Sequence, residues 1–234
     1  MLKTTVCASA VLAVTLAACG APRPRPPTPR EALQLEQKPP ALAAVGVYRI
    51  DAGRSELRVL VYRAGPMARF GHNHVMTNRA ISGSVTVADT LSSSVFSLSV
   101  PAAEFVVDDA EMRREEGADF EGDIAPDAKD GTLRNMLSPS LLDAAEFPSI
   151  LVRSVAVDDS HGALTATLSI QIAGHESTVM APFTLEVDSG RLSAWGSVDL
   201  RQTELGLTPF SLMLGALKVQ DEIHMKFRIV ATSS

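Results

Sequence analysis

Cysteine and aromatic residues are both scarce in this chain of 234 residues, and each shortage excludes classes of function. The only cysteines are Cys7 and Cys19, near the N-terminus. The remaining sequence therefore cannot form a disulfide, a thiol-based active site or a cysteine-ligated metal centre. Aromatic residues make up 5% of the chain and the net charge is −6. Because phosphate contacts require clustered Lys and Arg, we do not expect nucleic acid as a partner.

Catalytic motifs of the common enzyme classes are also absent. The sequence contains no Gly-x-Ser-x-Gly elbow, no phosphate-binding loop and no His-Glu-x-x-His pair. These patterns place nucleophiles, nucleotides or zinc in many enzymes. We therefore predict that the protein is not an enzyme and has no cofactor.

The first 18 residues, 1–18, are typical of a bacterial lipoprotein signal peptide. Lys3 precedes an uncharged apolar stretch over residues 6–18, which is too short to span a bilayer. Residues 16–19, Leu-Ala-Ala-Cys, resemble a lipobox, in which the cysteine is lipidated before cleavage. We predict export and lipidation at Cys19. In a host with two membranes, Gly20 favours anchoring in the outer membrane, facing the periplasm.

Residues 19–44 are predicted to comprise the lipidated cysteine and a flexible tether. Seven prolines lie between residues 22 and 40, and such a stretch is extended and cannot bury a core. The folded domain is accordingly predicted over residues 45–234.

Within this predicted domain, apolar side chains alternate with polar ones in repeated stretches. The clearest are residues 57–61, 81–87, 96–100, 164–172, 179–187 and 223–229. Alternation with period two is typical of antiparallel strands that have one wet face. Only residues 133–142 have helical spacing, with a break and a second helix start at Ser138-Pro139. Since consecutive hairpins close most simply into a barrel, we predict an all-β fold: a single antiparallel barrel of about eight strands with a short helical insertion.

Four separated motifs resemble those of the YceI family. They are residues 48–57 with Tyr48-Arg49-Ile50-Asp51 and Ser55-Glu56-Leu57, residues 135–150 with Phe147-Pro148, residues 166–178, and residues 200–207, in which Leu205 replaces the usual aromatic residue. The resemblance covers about residues 46–231. It implies a lipocalin-like β-barrel whose apolar interior holds a long isoprenoid chain, such as a polyprenyl or quinone tail.

A hollow barrel of this kind would be lined by large apolar side chains. The residues we predict for this ligand site are Phe96, Leu98, Leu137, Leu141, Phe147, Leu168, Ile170, Phe183, Trp195 and Phe210. An eight-stranded barrel is wide enough to enclose one small ligand, yet the same side chains would also fill a solid core. From the residues alone, both interpretations stay open.

His72 and His74 form the sharpest local motif. Two imidazoles two residues apart share one side of a strand, where both can bind one metal ion or a haem, although no third ligand is close in sequence. Strand alternation places both opposite Val75 and away from the interior, unless Gly71 marks a bulge. The alternatives are metal or haem binding, hydrogen bonds from these residues and Asn135 to a ligand head at the pocket mouth, and structural contacts.

Residues 104–130 carry eleven acidic and three basic side chains. The spacing around Gly122 does not match that of a calcium-binding loop. We predict a solvated, mobile loop or lid over the barrel mouth.

Three hypotheses of function follow. The first is an envelope lipoprotein that sequesters or transports an isoprenoid lipid or quinone, with the membrane as its second partner. The second is a metal- or haem-binding protein with a redox or stress role, in which His72 and His74 are the ligands. The third is a structural lipoprotein with a filled core that binds an unidentified protein partner.

Overall fold

The computed structural model describes residues 43–159 and 163–233. The predicted signal peptide and Cys19, together with the tether up to residue 42, lie outside the described residues. The elements in chain order are β1 (Gly46–Ile50), β2 (Glu56–Ala64), β3 (His74–Asn78), β4 (Ser82–Val87), β5 (Val95–Pro101), β6 (Val106–Val107), α1 (Ala110–Glu115), α2 (Pro126–Leu137), β7 (Ser149–Asp158), β8 (Leu164–Ile172), β9 (His175–Asp188), β10 (Arg191–Arg201), β11 (Ser211–Leu212) and β12 (Leu217–Ser233).

Eight antiparallel strands close into a barrel, as predicted. Three of the eight are interrupted by short turns, so that β1 continues as β2, β3 as β4, and β5 as β6. Each strand pairs with the next one along the chain, and β12 closes the barrel by pairing with both β1 and β2. The short strand β11 forms a small hairpin with the start of β12. The described pairings thus lead around the sheet and back to its start, which makes it a barrel and not an open sheet.

Alternation along the strands separates the barrel interior from its outer wall. On β8, the apolar residues Ala166, Leu168 and Ile170 are buried in the main core, while the residues between them are less buried. On β12, Met225 pairs with Val59 of β2 and Val198 of β10, and all three belong to the same interior cluster. The period-two pattern in the sequence therefore identified the inward face of these strands.

The helical insertion differs from the prediction at both of its ends. Helix α2 begins at Pro126, a residue suited to the first turn because it needs no amide donor. Residues 138–148 form turns, so the predicted second helix at Pro139 is wrong. Ser138 is extended, as expected for a residue before proline. Asp143 then has a φ of 43°, which a right-handed helix does not accommodate.

Residues 108–120 of the acidic segment 104–130 are packed against the outer wall of the barrel, so the prediction that this part is a solvated loop or lid over the barrel mouth is wrong. This part contains the unpredicted helix α1, whose first amides are capped by the Asp109 side chain. Met112 of α1 and Phe120 bury their side chains against Leu60 and Val75 on the outer face of β2 and β3. This outer face is apolar, and covering it removes apolar surface from water.

Ion pairs fix the same segment to the barrel wall. Arg58 on β2 contacts Glu116 at 2.7 Å and Glu115 at 2.9 Å, and Lys226 on β12 contacts Glu116 at 2.5 Å. Burial alone would raise the pKa of Glu116, but its hydrogen bonds to Lys226 and Arg58 outweigh burial and lower that pKa. Basic side chains of the barrel, Arg58 and Lys226, thus neutralise part of the negative charge of this segment.

Neither of the two helices within residues 43–159 and 163–233 has the length and apolar character that a membrane span requires.

Candidate functional site

An apolar cavity of about 170 Å³ lies inside the barrel, at the end covered by α2. Its lining residues come from five strands, from α2, from the turn between β5 and β6 and from the turns that follow α2 and β10. They are Val59, Val61, His74, Met76, Phe105, Thr132, Asn135, Met136, Leu141, Leu142, Ile150, Ile172, Gln202, Leu205, Leu207, Phe210, Val219 and Ile223. Only four of these residues have strongly polar side chains, namely His74, Thr132, Asn135 and Gln202. A largely apolar pocket with a few convergent polar groups is the usual form of a small-molecule site.

Beyond this cavity, some of the apolar side chains that point into the barrel are only partly buried. Inward side chains on paired strands, such as Leu98, Val152, Val179 and Phe227, are half-buried and pack against the main cluster. Apolar side chains therefore continue from the cavity along the inward faces of these strands.

Most of the predicted ligand-site residues lie inside the barrel. Leu141 and Phe210 line the cavity. The others that belong to the main interior cluster are Phe96, Leu98, Leu137, Leu168, Ile170 and Phe183. Phe147 lies against Gly174, where an added Cβ would come within 2.8 Å of the Phe147 ring. That glycine keeps the ring close to the β8–β9 turn.

Trp195 does not belong to the interior, and its prediction as a ligand residue is wrong. It is 40% exposed and pairs with Arg228 on the outer face of β10 and β12. The inward set on β10 is instead Leu192, Val198 and Leu200. The large size of the Trp195 side chain suggested that it is buried. Its position in the alternation of β10 instead places it on the outer face of the barrel.

His74 faces the barrel interior, which corrects the predicted orientation. It pairs with the inward residue Val61 and lines the cavity. Val75, which had served as the marker of the interior, is fully buried on the opposite face beneath α1 and Phe120. Both faces of β3 are covered, so apolar character alone could not tell them apart.

His72 is exposed, with its ring centroid 6.4 Å from that of His74. In the described part of the chain, no group of three or more His, Cys, Asp or Glu side chains converges on a point that could hold a metal ion. Asn135, the third residue assigned to a ligand head, lines the cavity together with His74. The structure thus places His74 and Asn135 at one cavity and leaves His72 outside it.

A buried carboxylate holds His74 in place. Asp108 Oδ2 lies 2.6 Å from His74 Nδ1, and Asp108 Oδ1 accepts hydrogen bonds from the Val75 amide at 2.9 Å and from Arg113 Nη1 at 2.7 Å. Asp108 is fully buried and Arg113 is almost fully buried. The same Arg113 nitrogen donates to the Asn73 carbonyl at 2.7 Å. These bonds connect the acidic segment outside the barrel to a side chain inside it.

The charge of Asp108 decides which nitrogen of the His74 ring donates a hydrogen bond to it. Burial alone raises the pKa of Asp108, but the hydrogen bonds from His74, the Val75 amide and Arg113 together hold that pKa below its ordinary value. Asp108 is therefore an ionised acceptor, and His74 Nδ1 carries the proton that it shares with the carboxylate. The other ring nitrogen, Nε2, has no hydrogen-bond partner among the described residues and is available for a hydrogen bond to a ligand hydroxyl.

Sequence reasoning did not single out Asp108 and Arg113. Both lie in the segment that was treated as one solvated block of charge. The available signal was the pair Asp108-Asp109 just after the apolar residues Val106 and Val107, since a carboxylate next to a strand and a helix start is often held in place. The long-range partner His74 could not be identified without the fold.

Comparisons with known proteins agree with this architecture. The family model described as the YceI-like domain matches residues 48–231, whereas no curated protein matches significantly. The crystal structure of BcnA from Burkholderia cenocepacia is 17% identical, with a TM-score of 0.58 over 78% of this chain and 99% of that one. A polyisoprenoid-binding domain from Saccharophagus degradans, implicated in plant cell wall breakdown, is 11% identical, with a TM-score of 0.53 over 80% of this chain and 98% of that one. At these identities the structural likeness shows the fold, and the family match shows that the chain belongs to the YceI-like domain family.

Proposed function

We propose that the protein binds an isoprenoid-type lipid, with a polyprenyl or quinone tail, inside the barrel in order to sequester or transport it without a chemical step. The observation that carries this proposal is the apolar cavity inside a closed barrel whose inward side chains are apolar and in part only half-buried. The polyisoprenoid-binding domain from Saccharophagus degradans, which has the same fold, supports the choice of ligand.

The tail and the head of such a ligand would have different sites. A cavity of about 170 Å³ is comparable to one that holds a single small ring, so a long tail must extend into the rest of the interior. Its burial contributes about 25 cal/mol for each Å² of apolar surface removed from water. A polar head would meet His74, Asn135 and Gln202 at the α2 end.

Replacing His74 with phenylalanine is expected to remove the preference for a ligand with a hydroxyl head. His74 Nε2 can accept one hydrogen bond from a prenol, which favours the prenol over the matching hydrocarbon by about two- to tenfold. Titration of the delipidated full chain with a prenol and a hydrocarbon of equal length, followed by native mass spectrometry, measures this ratio.

The matched control for this experiment is His72→Phe, since His72 is exposed and outside the cavity lining. The control is expected to keep the wild-type ratio. Equal ratios in wild type and both variants would refute the role of His74. If neither isoprenoid binds the wild-type chain, the proposed function itself is refuted.

We further propose that the chain is a lipoprotein of the cell envelope, anchored through Cys19 to the outer membrane and facing the periplasm. The support is the apolar stretch over residues 6–18 and the lipobox-like residues 16–19. Changing Cys19→Ala is expected to release the protein from the membrane fraction of fractionated cells. The control Cys7→Ala lies within the predicted signal peptide and should leave the protein in that fraction, and release of both variants or of neither contradicts the assignment.

A further inference from the structure

Two neighbouring loops project apolar side chains into solvent at the cavity end of the barrel. One loop joins β2 to β3 and carries Phe70, which is 59% exposed; the other joins β11 to β12 and carries Met213, which is 70% exposed. Leu214 is fully exposed, and Leu212 beside it is half-exposed. We refer to Phe70, Leu212, Met213 and Leu214 as the apolar tip.

The two loops form one surface. The Met67 amide donates to the Ala216 carbonyl at 2.8 Å. A Cβ added at Gly65 would approach the Ala216 carbonyl to 2.5 Å, and one at Gly71 would approach the Leu217 side chain to 2.9 Å. Glycine at these two positions therefore permits the close contact between the loops.

The backbone of the second loop is held in a conformation that is costly for its residues. Met213 and Leu214 have φ angles of 51° and 57°, in a left-handed region that non-glycine residues seldom occupy. The side chains of Met213 and Leu214 are mostly or fully exposed, so no burial within the fold offsets the cost of this backbone conformation. Strain of this kind is concentrated at sites that contact another molecule.

The charge around the apolar tip differs from that of the rest of the protein. Residues 57–88 and 205–220 contain no acidic residue, although the whole chain has 27 acidic and 21 basic residues. Arg63, Arg69 and Lys218 lie in or beside the two loops and are exposed. Within the described ranges none of them forms an ion pair with a carboxylate, whereas Arg69 stacks over the Phe70 ring at 4.6 Å from its centroid. Three cations without a carboxylate partner among the described residues therefore lie near the apolar tip, although Arg63 also donates to the Gly71 carbonyl at 2.7 Å.

The apolar tip is continuous with the cavity. Phe210 and Val219 both line the cavity, and they flank the hairpin that carries Met213 and Leu214. The Val219 amide donates to the Phe210 carbonyl at 3.0 Å, which joins the two sides of the hairpin at its base. A surface that touches the apolar tip thus lies next to the wall of the ligand cavity.

We propose that the apolar tip inserts into the interface of an anionic lipid bilayer, with Arg63, Arg69 and Lys218 against the headgroups. Exposed apolar side chains bordered by basic ones are the combination that binds such an interface. The cavity end of the barrel then faces the membrane, so that an isoprenoid can enter tail first and leave its head at His74. The identity of this ligand rests on the proposed function, whereas the docking itself does not.

The experiment uses the full chain with Trp195→Phe, which removes the single native tryptophan, and with Leu214→Trp as a reporter. The matched control is Met180→Trp in the same background, since Met180 is also exposed but lies on the barrel wall. Vesicles of phosphatidylethanolamine and phosphatidylglycerol contain lipids brominated along the acyl chain. We expect these vesicles to quench and blue-shift the fluorescence of the reporter at position 214 and to leave the one at position 180 unchanged, whether or not the N-terminus also holds the chain to the vesicle.

Charge reversal tests whether the basic residues beside the apolar tip contact the anionic headgroups. The double variant Arg69→Glu and Lys218→Glu is expected to reduce quenching at position 214 more than about tenfold, because each basic residue near an anionic surface strengthens partitioning roughly fivefold. The control Arg49→Glu and Arg153→Glu changes the net charge equally, at exposed positions on β1 and β7, and should preserve quenching.

Three outcomes overturn the docking proposal. They are equal quenching at positions 214 and 180, no quenching at either, and a blue shift at position 214 that rises with protein concentration without vesicles, which would assign the apolar tip to self-association. Lipid extraction from the same preparation separates the two proposals. Bound isoprenoid without quenching refutes docking alone, and quenching without any bound isoprenoid refutes the ligand alone.

Discussion

Replacing Arg113 with methionine is expected to lower the free energy of unfolding by about 3–5 kcal/mol, because it leaves a buried carboxylate without its guanidinium partner. Arg113 contacts Asp108 at 2.7 Å, and both side chains are buried between α1 and the outer face of β3. Arg113 also donates to the carbonyl of Asn73, which would lose that bond. Urea unfolding of the full chain, followed by far-UV circular dichroism, measures the change.

The neighbouring residue provides the control. Arg114 is exposed, and its side chain donates only a 3.2 Å bond to the Ala110 carbonyl one turn earlier in α1. Arg114→Met is expected to change stability by less than about 0.5 kcal/mol. If the two variants unfold at the same urea concentration, the buried network does not hold the insertion to the barrel, and the fixed orientation of His74 loses its support.

Replacing Val59 with tryptophan is expected to remove nearly all bound lipid with little loss of stability. Val59 lines the cavity and pairs with Met76 and Met225, which are also inward residues. An indole at this position would occupy space that the ligand needs. Organic extraction of equal amounts of wild-type and variant protein, followed by mass spectrometry of the lipids, measures the loss.

The control for this variant is Val155→Trp on the outer wall, where Val155 is 63% exposed. It is expected to retain the wild-type amount of lipid. A filled core predicts a different pattern, in which Val59→Trp destabilises the protein by about 1–3 kcal/mol through overpacking and neither variant alters the lipid content. Thermal unfolding of both variants distinguishes the two patterns.

The barrel could be predicted from the sequence because its strands have one wet face. On β8 and over residues 223–231 of β12, apolar residues occupy every second position. Period two together with short turns leads directly to a closed meander. Interior residues such as Leu168 and Phe183 followed from the same alternation. The ligand class was predicted from the family resemblance, because the alternation of apolar and polar residues does not indicate which ligand a barrel binds.

Prediction failed where both faces of an element are covered or where partners are distant in sequence. Val75 lies on the outer face of β3 and is buried only because α1 covers it. The sequence pattern took Val75 as an inward residue and therefore placed His74 on the outer face, whereas His74 lines the cavity. Asp108 and His74 are 34 residues apart, and composition gives no indication that one residue of an acidic segment is buried. Trp195 shows the opposite error, in which side-chain size was given more weight than strand register.

Native mass spectrometry of the detergent-free full chain decides whether the barrel interior binds an isoprenoid lipid. The chain carries Cys19→Ala, so that acyl chains add no covalent mass. We predict an additional mass of several hundred daltons that disappears on organic extraction and is recovered as an isoprenoid in the extract. A single mass equal to that of the polypeptide, with no lipid in the extract, would show that the barrel interior binds no isoprenoid.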